Sequence, residues 1–288
     1  MNRRLVLWIA LIGAGTLAPA PAMCDTTVDA ERIVSLAPSI TELLFALELG
    51  DHVVGVTEWC RWPKAAADLP RVGGVVDPNI EVIASLKPTL VVVEEANADV
   101  AAALERLGLM ILEVDHRDTA GILASVTRVG EACGMQAEAA TLRGDLEARL
   151  SAVAAATDPS TEPVIMVIVG RDVASGELRD VYAAAGGTFL GELLEAAGGR
   201  NALTGRAIRY PTVGREALLR LHLDHVFELA PELDGDPEAV ADLRRAWADV
   251  GVPESRVHVL TDDAPLIPGP RFVETVERFA ALLAEARQ

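Results

Sequence analysis

Aromatic side chains make up only 4% of this 288-residue chain, cysteine occurs 3 times, and basic residues are outnumbered by acidic ones, 25 to 43. The formal charge of −18 argues against nucleic acid and anionic lipid surfaces as partners. Cys24, Cys60 and Cys133 are odd in number and include no C-x-x-C pair, which argues against a disulfide framework in a chain long enough to bury a core without staples. A single Cys60–Cys133 bridge stays open. Catalytic signatures are missing as well: there is no G-x-S-x-G, no H-E-x-x-H, no P-loop and no G-x-G-x-x-G after a strand. His222 and His225 flank the entry to a strand, where three-residue spacing turns side chains to opposite faces, while His52, His116 and His258 are isolated. No metal centre, catalytic cofactor or enzyme is expected. The chain reads as a binder, with an exported enzyme or sensory module as the remote alternative.

Long apolar runs are lacking too, except at the start. "MNRR" is a short basic segment, "LVLWIALIGAGTL" an apolar run, and "APAPA" puts Ala20 and Ala22 at the small-residue positions of a cleavage site. Residues 1–22 are therefore expected to be a signal peptide, too short for a membrane span, with the mature protein exported to a periplasmic or extracytoplasmic space. Met23 and Pro21 make a poor lipobox around Cys24, which favours a soluble protein over an anchored one. Losing Arg3 and Arg4 takes the formal charge from −18 to −20.

What is present is an alternation. "RIVSLA", "HVVGVT", "TLVVVEE" and "MILEVD" read as buried strands, separated by segments with apolar residues at three- and four-residue spacing. This grammar predicts an α/β fold with mostly parallel sheets. From about residue 122 the strands stop; residues 135–157 predict one helix roughly 35 Å long, ended by "TDPSTEP". The alternation then resumes. The expected architecture is two Rossmann-like lobes, 23–134 and 158–288, joined by one long backbone helix, with the ligand cleft between them. The halves also echo each other: "NIEVIASLKPTLVVVEE" and "GREALLRLHLDHVFELA" each place an acid, Glu81 or Glu216, early in a helix that leads to a strand. Capping alone explains either acid, but not the match between them.

Candidate ligand contacts sit at strand ends. "TEWCRWP" follows a strand and carries Trp59, Cys60 and Trp62; the rings suit a large planar ligand, with Trp62 the expected contact and Trp59 the expected core residue. Cys60 is either a ligand contact or a buried small hydrophobe. "GRAIRYPTVGRE" offers Arg209 and Tyr210, "RDVYAAAGG" offers Tyr182, and "LTDDAPLIPGPRF" offers Asp263 as a hydrogen-bond acceptor.

"RIVSLAPSITELLFALELGDHVVGVTEWCRWP", "LPRVGG", "NIEVIASLKPTLVVV" and "YPTVGREALLRL" resemble the substrate-binding proteins of ABC importers for cobalamin, haem and iron-siderophores, and most of all the periplasmic cobalamin-binding proteins. The resemblance runs from about Arg32 to the C-terminus. It implies two α/β lobes bridged by a stiff helix, a monomer that serves a permease dimer with its ATPase, and docking of Glu81 and Glu216 onto permease arginines. It also implies ligand contacts at Trp62, Tyr182, Tyr210 and Asp263. Val75 stands where that pattern has a further tryptophan, and Ile267 where an arginine follows the aspartate, so a cobalamin-like corrinoid, haem and a ferric chelate all stay open as cargo.

Overall fold

The computed structural model describes residues 30–158, 160–171 and 178–285; the expected signal peptide and Cys24 lie outside them. The first lobe alternates strand and helix: β1 (Ile33–Ser35), α1 (Pro38–Ala46), β2 (Val53–Val56), α2 (Ile80–Ser85), β3 (Leu90–Glu94), α3 (Ala98–Glu105), β4 (Ile111–Val114) and α4 (Thr119–Ala132). Its four strands run parallel in the order β2-β1-β3-β4. The unbroken apolar run "LVVV" that opens β3 is buried on both faces, as a parallel strand covered on both sides requires. Local chemistry starts the helices: Pro38 opens α1 with its ring-fixed backbone, Asn79 caps α2 and Asp118 caps α4.

The helix α5 (Gln136–Ala156) runs 21 residues, about 32 Å. Beyond it come β5 (Val164–Arg171), β6 (Asp180–Ala184), α6 (Phe189–Ala196), β7 (Arg200–Asn201), β8 (Thr212–Gly214), α7 (Arg215–Leu218), β9 (His225–Leu229), α8 (Pro237–Ala246), β10 (Val257–Leu260) and α9 (Phe272–Glu285). The second sheet has the order β10-β9-β5-β6-β8, with β7 beside β5. β5, β9 and β10 are parallel, but β6 runs antiparallel to both β5 and β8. The expectation of mostly parallel sheets therefore holds except at this edge. The reason is length: the stretch of sequence between Arg171 and Asp180 is shorter than the dozen or more residues that a parallel crossover needs.

The inner faces of the two sheets share one hydrophobic cluster. Ile33, Val92 and Val126 of the first lobe belong to it with Leu146 of α5 and Val167, Phe189, Phe227 and Phe279 of the second. Each outer face has its own cluster, around Val91 and Ile83 in the first lobe and around Val226 and Trp247 in the second. Arg149 of α5 makes a bidentate pair with Glu277 of α9, at 2.8 and 2.7 Å. No helix among the described residues is long and apolar enough to cross a membrane.

Candidate functional site

The segment after β2 is a rigid shelf for its rings. Arg71 donates from Nη1 to the carbonyls of Thr57 and Cys60, each at 2.9 Å, and from Nη2 to Ala67 at 2.9 Å. Below the shelf, Cys60 is 0% exposed; its Sγ lies 3.1 Å from Thr41 Oγ1 and 3.0 Å from Thr57 Oγ1. This corrects the ligand-contact alternative for Cys60, because a thiol sealed in the core has no surface left to offer. Cys60 and Cys133 are both free thiols. Above the shelf, Trp59 is 57% exposed and Trp62 50%. The placing of Trp59 in the core is thus also corrected: the core-facing position went to the small Cys60, and Arg61 lies over the Trp59 ring at 5.8 Å.

Trp62 meets the second lobe. The guanidinium carbon of Arg271, the residue before α9, lies 4.9 Å from the centre of the Trp62 ring. Arg271 also donates to Glu42 of α1, from Nε at 3.0 Å and from Nη2 at 2.5 Å. Glu42 is buried, and desolvation pushes its carboxyl above the usual range against the pull of Arg271. Asp263 adds its negative charge to both Glu42 and Arg271, so the candidate acid of the 261–271 loop belongs to the same corner as Trp62. Gly269 lies so close to α1 that a Cβ there would sit 3.1 Å from Glu42 Oε2 and 3.3 Å from Ser39 Cα. Ser39 in turn donates to Glu94 at the end of β3, at 2.7 Å. Beside Glu94 lies His116, its Nδ1 4.0 Å from Oε1. Burial pushes His116 down to about 4, and neither ring nitrogen has a hydrogen-bond partner among the described residues.

The tyrosines form a second group. Tyr182 lies on β6, opposite Gly170 near the carboxyl end of β5 and opposite Thr212 of β8. Val181 and Ala183 point into the outer cluster and Ala184 into the shared inner one; by alternation Tyr182 stands on the inner face, 53% exposed. Tyr210, 46% exposed, is one strand over, between Arg209 and Pro211, whose carbonyls accept from Ala185 and Ala183. The Arg209 side chain is exposed. No ring contact joins Trp62 to either tyrosine among the described residues. Glu81 and Glu216 both fall in the first turn of a short helix, α2 and α7, and both are exposed. Glu216 is 3.6 Å from Arg220, a solvated pair of little energetic weight.

Sequence reasoning missed Arg71, Glu42 and Arg271. It also called His258 isolated, whereas His258 Nε2 lies 3.1 Å from His225 Nδ1 across β9 and β10.

Residues 33–250 match the family model described as periplasmic binding protein, and the chain belongs to that family, whose members are substrate-binding proteins rather than enzymes. An uncharacterised ABC transporter substrate-binding lipoprotein, YvrC of Bacillus subtilis, is 30% identical over 89% of this chain and 81% of its own length. Among solved structures, the periplasmic vitamin B12-binding protein BtuF of Vibrio cholerae superposes with a TM-score of 0.75 at 25% identity, covering 90% of this chain and 98% of its own. The periplasmic haem-binding protein RhuT of Roseiflexus sp. RS-1, in its apo form, gives a TM-score of 0.76 at 26% identity, with 90% and 100% covered. The chain is thus a binding protein of the ABC-importer type, related to binders of vitamin B12 and of haem.

Proposed function

We propose that the protein captures a corrinoid, cobalamin-like ligand in the cleft between its lobes and delivers it to a membrane permease with its ATPase. The observation that carries this reading is Trp62, a broad ring half exposed beside the lobe boundary with the guanidinium of Arg271, paired to buried Glu42, lying over it. Such a ring is held ready for a flat ligand at little ordering cost. Tyr182 and Tyr210 supply facing aromatic area, Trp59 widens the first wall, and Arg209 and Asp263 offer polar contacts for orientation. The relationship to vitamin B12-binding proteins supports the choice of ligand class. Haem is the second reading, favoured by two exposed phenols, Tyr182 and Tyr210, of the type that serves as an axial ligand to haem iron, and by the likeness to a haem-binding protein. In either case the protein acts as an exported monomer without a catalytic cofactor.

Glu81 and Glu216, one solvated acid in each lobe, are the proposed docking points. Bidentate pairing with permease arginines fixes the register of both lobes at once. In the double variant Glu81→Ala/Glu216→Ala, ligand binding should persist and transport should stop; undiminished transport refutes the docking assignment.

Calorimetric titration of residues 23–288 with cyanocobalamin, and separately with haemin, tests the ligand. One-to-one cyanocobalamin binding is expected, weakened roughly ten- to hundredfold, about 1.4 to 2.8 kcal/mol, by Trp62→Ala. Absence of a cyanocobalamin signal together with a haemin response would overturn the corrinoid reading in favour of haem.

A further inference from the structure

The cation under Trp62 belongs to the opposite lobe. Arg271 directly precedes α9, which packs against α6 of the second lobe and against α5, and so it is carried by the second lobe. Glu42 is on α1, which packs on β1, β2 and β3 of the first. Trp62 stands on the Arg71-braced shelf, also of the first lobe. The guanidinium therefore gives its N–H groups to a carboxylate and lies over a ring, and both partners are across the lobe boundary from it. Every contact involved is short in range. Bidentate hydrogen bonds at 2.5 and 3.0 Å and a cation–π contact at 4.9 Å are lost together within a few ångströms of lobe displacement.

The seating is tight from the loop side as well. Gly269 leaves no slack between the 268–271 loop and α1. A separate polar tether, from the backbone N–H and hydroxyl of Thr119 to Glu192 Oε2 at 3.1 and 3.2 Å, joins the lobes elsewhere, between the start of α4 and α6. The Arg271 corner is the inter-lobe ion pair that, among the described residues, also touches an exposed aromatic ring.

We propose that Glu42, Arg271 and Trp62 form a release latch, in which Arg271 is a positioning residue that ties the orientation of the Trp62 ring to the closeness of the two lobes. A permease that draws the lobes apart pulls the guanidinium from beneath the ring, and the ring loses its backing as the cleft opens. A ligand stacked on Trp62 pulls the same equilibrium the other way, toward the closed arrangement. The release half of this inference rests on the reading that Trp62 touches the ligand; the positioning half does not.

The two halves are tested separately. In mature protein carrying Trp59→Phe, Trp62 is the solvent-accessible tryptophan, because Trp247 is fully buried. Acrylamide quenching of its fluorescence without ligand reads the backing of the ring, because an uncharged quencher is not drawn or repelled by the charges that the variants change. Arg271→Gln is expected to raise the quenching constant and Arg271→Lys to raise it less, since an ammonium keeps charge but not the flat face. Gly269→Ala, which wedges the loop with Arg271 intact, should shift quenching in the same direction. With Trp59 restored, dissociation of cyanocobalamin and of haemin is followed by stopped flow, and Arg271→Gln should speed it roughly three- to tenfold. Circular dichroism establishes that each variant is folded; if Arg271→Gln is not, Arg271→Lys and Gly269→Ala carry the test. Quenching unchanged in the folded Arg271 variants overturns the latch. Changed quenching with unchanged dissociation of a ligand that binds overturns the release half and leaves positioning standing. Should neither probe bind the wild-type protein, the ligand reading fails, and quenching alone decides the positioning role.

Discussion

Among the described residues the combination of arginine, glutamate and tryptophan occurs twice, and it is used in two different ways. In the second lobe, Arg171 Nε lies 2.7 Å from Glu228 Oε1, Trp247 Nε1 donates to Glu228 Oε2 at 2.7 Å, and Arg171 Nη2 reaches the Leu243 carbonyl at 3.1 Å. Ring, acid and base are all closed off, and all belong to one lobe. At the lobe boundary, Arg271 and Glu42 again pair, but Trp62 lies on the guanidinium instead of bonding the carboxylate, and half of its surface stays open. In the first set the indole N–H is spent on satisfying a buried acid; in the second the indole face is held still and left available. The same three residue types make an internal strut where the tryptophan is enclosed and a recognition surface where it is not.

The largest effect that would separate the two sets is on stability. Glu228→Ala leaves Arg171 as an uncompensated cation in a sealed position, and should cost about 3 to 5 kcal/mol, read from the urea midpoint at constant slope. A loss under about 1 kcal/mol would mean that the strut is not a strut.

Acidity gives an intermediate effect. Burial pushes Glu228 up to about 7, so between the usual carboxylate range and neutrality the folded protein holds a proton that the unfolded chain has released. The stability contribution of this group is thus full at low pH and declines as pH rises toward 7. His116, pushed down to about 4 by burial, acts in the opposite sense: below the ordinary histidine range the unfolded chain takes up a proton first, and stability falls as pH drops toward 4. Glu228→Gln should reduce the first slope, leaving the part due to the raised Glu42, and keep the second, as measured by melting temperature against pH. An undiminished neutral-side slope in that variant would show that Glu228 does not cause it.

The smallest expected effect is the stability change in Trp62→Ala, under about 1 kcal/mol because the ring is half solvated already, in contrast to its effect on ligand affinity. A large loss of stability there would erase the distinction between the two tryptophans.

Much of the architecture was legible because it depends on local pattern. β3 could be read from consecutive valines, and α5 from a long stretch of good helix formers closed by turn residues. β6 was not, since a five-residue strand with one tyrosine and two alanines carries little period, and its direction follows only from the brevity of its link to β5. In the site, Trp62 stood out by rarity in an aromatic-poor chain. Arg271 and Glu42 did not, because what distinguishes them is each other, 229 positions apart, and one more charged residue on a helix or before one carries no local signal. The exchange of roles between Trp59 and Cys60 was hidden for a related reason: which of two neighbours enters the core depends on the space under the shelf, and Thr41 and Thr57 leave room for a thiol, not an indole.

The interior that runs through both sheets bears on how the chain comes apart. With Ile33, Leu146 and Phe279 in one cluster, each half completes only its outer cluster by itself, and a fragment ending within α5 would present its inner apolar face to water. Scanning calorimetry of the intact chain should accordingly show one sharp endotherm, its van't Hoff and calorimetric enthalpies in agreement, and the two halves, expressed apart, should aggregate until they are mixed.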